Sequence, residues 1–156
     1  MLIREPHDRL VGPIVKGVVI HSEDFTRRIT VNALFDTGTN NTGVSQRVTS
    51  MLAPYQTSVV AITTALGTTE NTLRYTAVVD LPNDGQPIPV LVFEGGSFGR
   101  YDALLGRDVL RTGTFHLEED WFSFCQKSPM SDLHVLDLTT IPNDPLPERW
   151  LLGGLA

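Results

Sequence analysis

Apolar residues recur at every second position in a series of short runs, and polar turns separate the runs. Residues 14–20 and 28–35 read as a first antiparallel pair of strands, joined across the polar stretch 21–26. Residues 57–65 and 73–81 flank the small polar stretch 67–71 and read as a long hairpin. The apolar run 88–93 is bounded by turns, as a buried strand is. Residues 115–117 and 121–124 flank Glu118-Glu119-Asp120 and form a further hairpin with a solvated acidic turn. Residues 44–51 fit either period, with a short helix over 45–51 as one option. The best helix candidate is 102–110, where Leu104, Leu105, Val109 and Leu110 fall on related faces and Gly113 supplies a stop signal. Gly12-Pro13, Asn40-Asn41, Pro82-Asn83-Asp84-Gly85 and Glu94-Gly95-Gly96-Ser97 punctuate the runs. Short strands at this spacing predict an all-β sandwich or barrel rather than alternating βαβ units.

The pattern changes from Gln126 onward. Pro129, Pro142, Pro145 and Pro147 crowd this stretch, and only 133–138 alternates enough for one more strand. Residues 142–147 cannot hold a regular element, because proline lacks the N–H donor. The sequence therefore predicts a domain over 1–125 and an extension over 126–156. The extension reads as an arm that packs on the domain or on a partner, or as a partly mobile one. No internal repeat is visible.

Composition narrows the class. The 17 Thr and 15 Val favour strands, since branching at Cβ stiffens the side chain and suits a pleated surface. A chain of 156 residues suits one domain, and a fold of that size buries roughly 70% of its unfolded surface. With 41% hydrophobic and only 19% charged residues, the composition is not that of a disordered chain. The 12 Lys and Arg against 18 Asp and Glu give a net charge of −6, and the basic residues are scattered, with only two lysines. A phosphate footprint needs them clustered, so nucleic acid is not an expected partner. One cysteine excludes an internal disulfide and a multi-cysteine zinc site. No apolar run approaches the roughly 20 residues of a membrane span, and residues 1–10 are too charged for a signal peptide. These features predict a soluble, cytoplasmic domain with no membrane association.

Several chemistries are absent as patterns. His7, His21, His116 and His134 stand singly and read as surface residues rather than zinc ligands. Cys125 reads as a small hydrophobe beside Phe124. Ser45 lacks the second glycine of a nucleophile elbow, and Gly95-Gly96 lacks the spacing and lysine of a phosphate loop. Phe115, Trp121, Phe122 and Phe124 read as core or interface rather than a base-stacking platform. No cofactor and no metal are expected.

One stretch carries chemistry: Ala33-Leu34-Phe35-Asp36-Thr37-Gly38-Thr39. An apolar strand runs directly into a carboxylate, then a hydroxyl residue and a glycine that lets another backbone come close. Taken alone, the tripeptide reads first as an Asx turn that ends a strand, ahead of any catalytic role. A second segment changes the balance: Asp102-Ala103-Leu104-Leu105-Gly106-Arg107-Asp108-Val109-Leu110, downstream of the long hairpin and the 88–93 run.

In this order the two motifs, with a hairpin between them and a closing strand after them, resemble the retropepsin-like aspartic proteases from about Gly12 to Phe124. The resemblance implies an all-β, closed-barrel-like acid-protease fold with one short helix and one lobe per chain. It also implies an aspartic endopeptidase, in which one carboxylate activates a water and the other assists the scissile carbonyl. This sequence holds one Asp-Thr-Gly. Arg111-Thr112-Gly113 lacks the acid, and Asn83-Asp84-Gly85 lacks the apolar approach. The implied dyad therefore needs Asp36 from each of two chains in a homodimer acting on a peptide or protein substrate.

Other positions carry over singly. Thr37 matches the residue whose hydroxyl bonds across the two-fold axis, and Gly38, Thr39 and Asn40 match the stretch that receives substrate main chain. The hairpin 62–72 takes the place of the flap, with Ala65, Leu66, Gly67 and Thr68 at its tip. Leu104 and Leu105 match the apolar pair beneath the active-site loops, and Gly106 and Arg107 match the support of those loops and of the dimer. Asn40 stands where many retroviral members carry an acid that pairs with the arginine, and Thr39 where Ala or Ser is usual. These departures bear on subsite shape and dimer strength. The same groove also suits a catalytically silent, protease-like dimer that binds extended peptides or mediates assembly. A third reading is an unrelated small β-barrel in which Asp36 only ends a strand. Residues 115–117 fall where the family interleaves terminal strands at the dimer interface, and 133–138 are expected near that interface.

Overall fold

Strands form where the period-two runs lie, and they close on themselves. The computed structural model of the chain describes residues 1–7, 9–63, 69–96 and 98–127. Strand β1 covers Leu2–Pro6, β2 Ile14–Ser22, β3 Arg28–Phe35 and β4 Gly43–Ser45. Helix α1, Gln46–Leu52, leads to β5, Ser58–Thr63, and β6, Thr69–Asp80. Then come β7, Ile88–Gly95, β8, Ala103–Leu105, the single helical turn α2, Arg107–Leu110, β9, Gly113–Leu117, and β10, Trp121–Gln126.

The large sheet runs in the order β2-β3-β8-β4-β7-β6, and β6 returns to pair with β2, which closes a six-stranded barrel. Strand β5 hangs on the free side of β6. Two of the contacts are parallel, β3 with β8 and β4 with β7, and the others are antiparallel. The barrel interior is filled from alternate positions: Ile29, Val31, Ala33 and Phe35 of β3, and Ile88, Val90 and Val92 of β7. A bulge between Val15 and Val18 interrupts the β2–β3 ladder, where Gly17 takes a left-handed φ of 74°. At the β2–β3 turn, Asp24 accepts bonds from the hydroxyl of Ser22 at 2.6 Å and from the backbone and hydroxyl of Thr26. The Ser22 hydroxyl first, and Thr26 with it, holds this carboxyl below its ordinary range.

A second sheet, β1-β10-β9, packs against one end of the barrel. Its buried side chains, Ile3, Phe122 and Phe124, join the same core. Phe35 is the junction, with ring centroids 5.4 Å from Phe115, 5.9 Å from Phe122 and 5.2 Å from Phe124.

Several expectations need correction. The segment 102–110 is not one helix: residues 103–105 form β8, and only 107–110 are helical. The apolar side chains that suggested a 3.6-residue period are instead drawn into a strand, where Ala103, Leu104 and Leu105 pair with Ala33, Leu34 and Phe35. Cys125, whose burial the sequence leaves open, alternates with buried Phe124 and is exposed. His21 is not a surface residue. Its ring is largely covered and bonds Asp80 at 2.8 Å across the β2–β6 contact, while the ring of Phe25 sits 5.2 Å away. The sequence pattern does not reveal strand β1, because Arg4, Glu5 and Pro6 mask its single inward residue, Ile3. Among the described residues no helix is long and apolar enough to cross a membrane. The proposed strand over 133–138 lies outside the described residues.

Candidate active site

The parallel β3–β8 pair sets the position of Asp36. After Phe35 pairs with Leu105, the Asp36 N–H donates to the carbonyl of Leu105 at 2.9 Å, so the carboxylate leaves the barrel at the end of β3. Its Oδ1 accepts the N–H of Gly38 at 2.8 Å. The Asx turn and the strand-end carboxylate are thus the same arrangement. A Cβ on Gly38 would lie 3.1 Å from that oxygen, so the glycine keeps the carboxylate uncrowded. Asp36 is half-buried, and Thr37 and Gly38 are exposed.

The next four residues are clamped from the α2 side. The Arg107 and Asp108 N–H groups donate to the carbonyls of Thr39 and Asn40 at 2.9 and 3.1 Å. The Thr39 hydroxyl donates to the carbonyl of Asn41, and the Arg107 guanidinium donates to the side-chain oxygen of Asn40. That acceptor is neutral, so the contact has a charge on one side only. Leu105 is fully buried, whereas Leu104 is on the other face of β8 and borders the cleft.

Asp108 is the residue that sequence reasoning passed over. Its two oxygens accept the backbone N–H and the hydroxyl of buried Thr42 at 2.8 and 2.9 Å, and one of them also accepts the N–H of Val109. One carboxylate thereby ties the loop after Asp36 to the start of α2. The available signal was an acid directly after Gly106-Arg107, a position suited to the first turn of a helix.

Gly106 has no room for a side chain, since a Cβ would meet the Asn41 carbonyl carbon and oxygen at 2.7 Å. Gly106→Ala is expected to push the 39–42 loop away and destabilise the fold by about 1–3 kcal/mol, the usual cost of overpacking. A melting temperature equal to that of the parent protein would contradict that close approach.

Asp36, Gly38, Thr39 and Asn40 form one side of a cleft of about 810 Å³. Ile62, Thr63 and Glu70 of the β5–β6 hairpin face it, and Phe93, Glu94 and Phe98 close the far wall. The hairpin is held by a continuous antiparallel ladder from Ser58 opposite Arg74 to Thr63 opposite Thr69. Ala65, Leu66, Gly67 and Thr68 lie outside the described residues. Under the far wall, the Tyr75 hydroxyl bonds Thr49 of α1 at 3.0 Å. Burial pushes this phenol up to about 12; the Thr49 bond opposes that shift and the negative charge of Glu94 adds to it. Among the described residues no three His, Cys, Asp or Glu side chains converge as metal ligands would.

The sequence matches no family model and no curated protein. Among solved structures, the chain is similar to a retropepsin-like aspartic protease from Rickettsia conorii. The identity is 14% and the TM-score 0.57, over 80% of this chain and 90% of that one. It is also similar to EIAV protease complexed with the inhibitor HBY-793, at 19% identity and a TM-score of 0.43, over 62% of this chain and 84% of that one. The closed barrel, the strand-end carboxylate beside β8 and the likeness to the Rickettsia structure agree: the chain has the retropepsin-like fold.

Proposed function

We propose that the chain is an aspartic endopeptidase that works as a homodimer, with Asp36 of each copy meeting at the two-fold axis. The observation that carries this reading is the setting of Asp36. It stands at a cleft edge with its backbone pinned by β8, and one carboxylate oxygen is held by Gly38. Among the described residues the other oxygen has no protein donor, which leaves it available to a water or to a second carboxylate.

The reaction needs two such groups. One ionised carboxylate takes a proton from a water as that water attacks the peptide carbonyl carbon. The other, protonated, gives its proton to the carbonyl oxygen. As the tetrahedral intermediate collapses and the C–N bond breaks, the amine takes the proton that the first carboxylate drew from water, and a hydroxyl of the intermediate returns its proton to the other carboxylate, which is again protonated. Two acids in contact do not both ionise, and their titration belongs to the pair. In this reading the Thr37 hydroxyl, exposed beside Asp36, bonds its counterpart across the axis, and the β5–β6 hairpin covers the peptide.

Because each chain supplies one carboxylate, activity depends on association. Cleavage rate per chain is expected to fall as the protein is diluted through the dimer dissociation constant. A rate per chain that stays constant while sedimentation shows monomers would overturn the shared site. If the dimer binds extended peptides in the cleft and cleaves none over roughly pH 3 to 7, the silent peptide-binding reading replaces this one. The extension over 126–156 is assigned to the same interface. Truncation after Lys127 is expected to raise the dimer dissociation constant, and an unchanged constant would remove the extension from it.

A further inference from the structure

Ionisable side chains of only one sign line the cleft. Among the described residues that line it they are Asp36, Glu70 and Glu94, and the Arg107 guanidinium, bonded to the side-chain oxygen of Asn40, is not itself in the lining. Glu70 stands on β6 opposite Ile62, and Glu94 follows Phe93 on β7, so each acid has an apolar neighbour at the cleft surface. Among the described residues neither carboxylate is engaged by a donor. The one side-chain bond to Glu94 comes from the Thr72 hydroxyl and goes to its backbone carbonyl.

An apolar wall ending in a carboxylate is complementary to a long cationic side chain, which lays its methylenes on the wall and its charge at the acid. From this we infer that the cleft selects peptides with Lys or Arg beside the scissile bond. The stem would lie along Ile62, Phe93 and Leu104, and the cation at Glu70 and Glu94. This specificity rests on the peptidase reading and deepens it. The two-fold axis of the dimer repeats both acids, so the preference extends to both sides of the bond. The overall negative charge of the chain further concentrates a cationic peptide at the cleft.

The test compares the parent enzyme with Glu70→Gln, Glu94→Gln and the double variant on a mixed peptide pool, with products read by mass spectrometry. Lys and Arg are expected to be enriched about fivefold at the cleaved positions, the worth of a partly exposed ion pair. In the double variant that enrichment is expected to fall towards one. No enrichment in the parent enzyme, or enrichment that survives in the double variant, overturns the assignment. Melting temperatures of the isosteric variants separate loss of selectivity from loss of fold. If the parent enzyme cleaves nothing, the peptidase reading fails separately. Fluorescence anisotropy of a dansylated apolar peptide with a central Lys, against its norleucine counterpart, then decides the subsite alone. Tighter Lys binding that the double variant loses upholds it, and equal binding overturns it.

Discussion

Replacing Asp36 by Asn is expected to lower peptide cleavage about 10³-fold, the scale on which a positioned acid–base group acts, while the fold and the dimer persist. The substitution is close to isosteric. Its side-chain oxygen can still accept the Gly38 N–H that Asp36 accepts at 2.8 Å, so the turn that shapes the loop is kept. What is lost is the ability to take a proton from water. The measurement is kcat/KM beside melting temperature and sedimentation. Full activity in the variant would remove Asp36 from the chemistry. Loss of activity together with loss of fold would call for the mixing form of the experiment. There the variant is exchanged into parent dimers, and at equal amounts only about a quarter of randomly paired dimers keep both carboxylates.

The largest effect on stability is expected one residue earlier. Phe35→Ala should cost about 3–5 kcal/mol, as buried aromatic truncations do. Phe35 is 3% exposed, and its ring meets Phe115, Phe122 and Phe124, which arrive from β9 and β10. Its removal would leave a void between the barrel and the small sheet. Total stabilities of single domains are of order 5–15 kcal/mol, so the variant would be partly unfolded at moderate temperature. Phe35→Leu should retain more of the stability and most of the activity. Urea denaturation of the three proteins checks this, and a Phe35→Ala midpoint within error of the parent would contradict the packing. The position also links stability to function, because the strand that buries Phe35 is the one that aims Asp36.

Much of this was legible before the structure. Alternation located β3, where every second residue is buried, and polar turns between short apolar runs located β2 and the β5–β6 and β9–β10 hairpins. Residues 45–51, ambiguous by period, are helical over nearly the expected span, as α1. The apolar approach to Asp36 and the Gly106-Arg107 step showed which two segments to place together.

What escaped was decided by pairing across the fold. Leu104 and Leu105 are adjacent, so a helix and a fully buried strand predict the same pattern for them. The parallel contact with β3 settles it, and no local propensity records that contact. Strand β1 carries one inward residue and depends on β10 for its existence. The alternation of Phe122, Phe124 and Gln126 puts Cys125 on the outer face. Asp108 stands out in sequence only as an acid at a helix start; its tie to Thr42, 66 residues away, needs the fold. The acidic character of the cleft needed the β5–β6 hairpin and β7 brought to the same cleft, so that Glu70 and Glu94 line it together with Asp36.

The most direct test of the shared active site is the separation of the two Asp36 carboxylates in a crystal structure of the homodimer. A closest oxygen–oxygen distance of about 3 Å, within hydrogen-bond range, is the expected result. Carboxylates beyond the reach of a hydrogen bond or a single bridging water, in every dimer the protein forms, would contradict it.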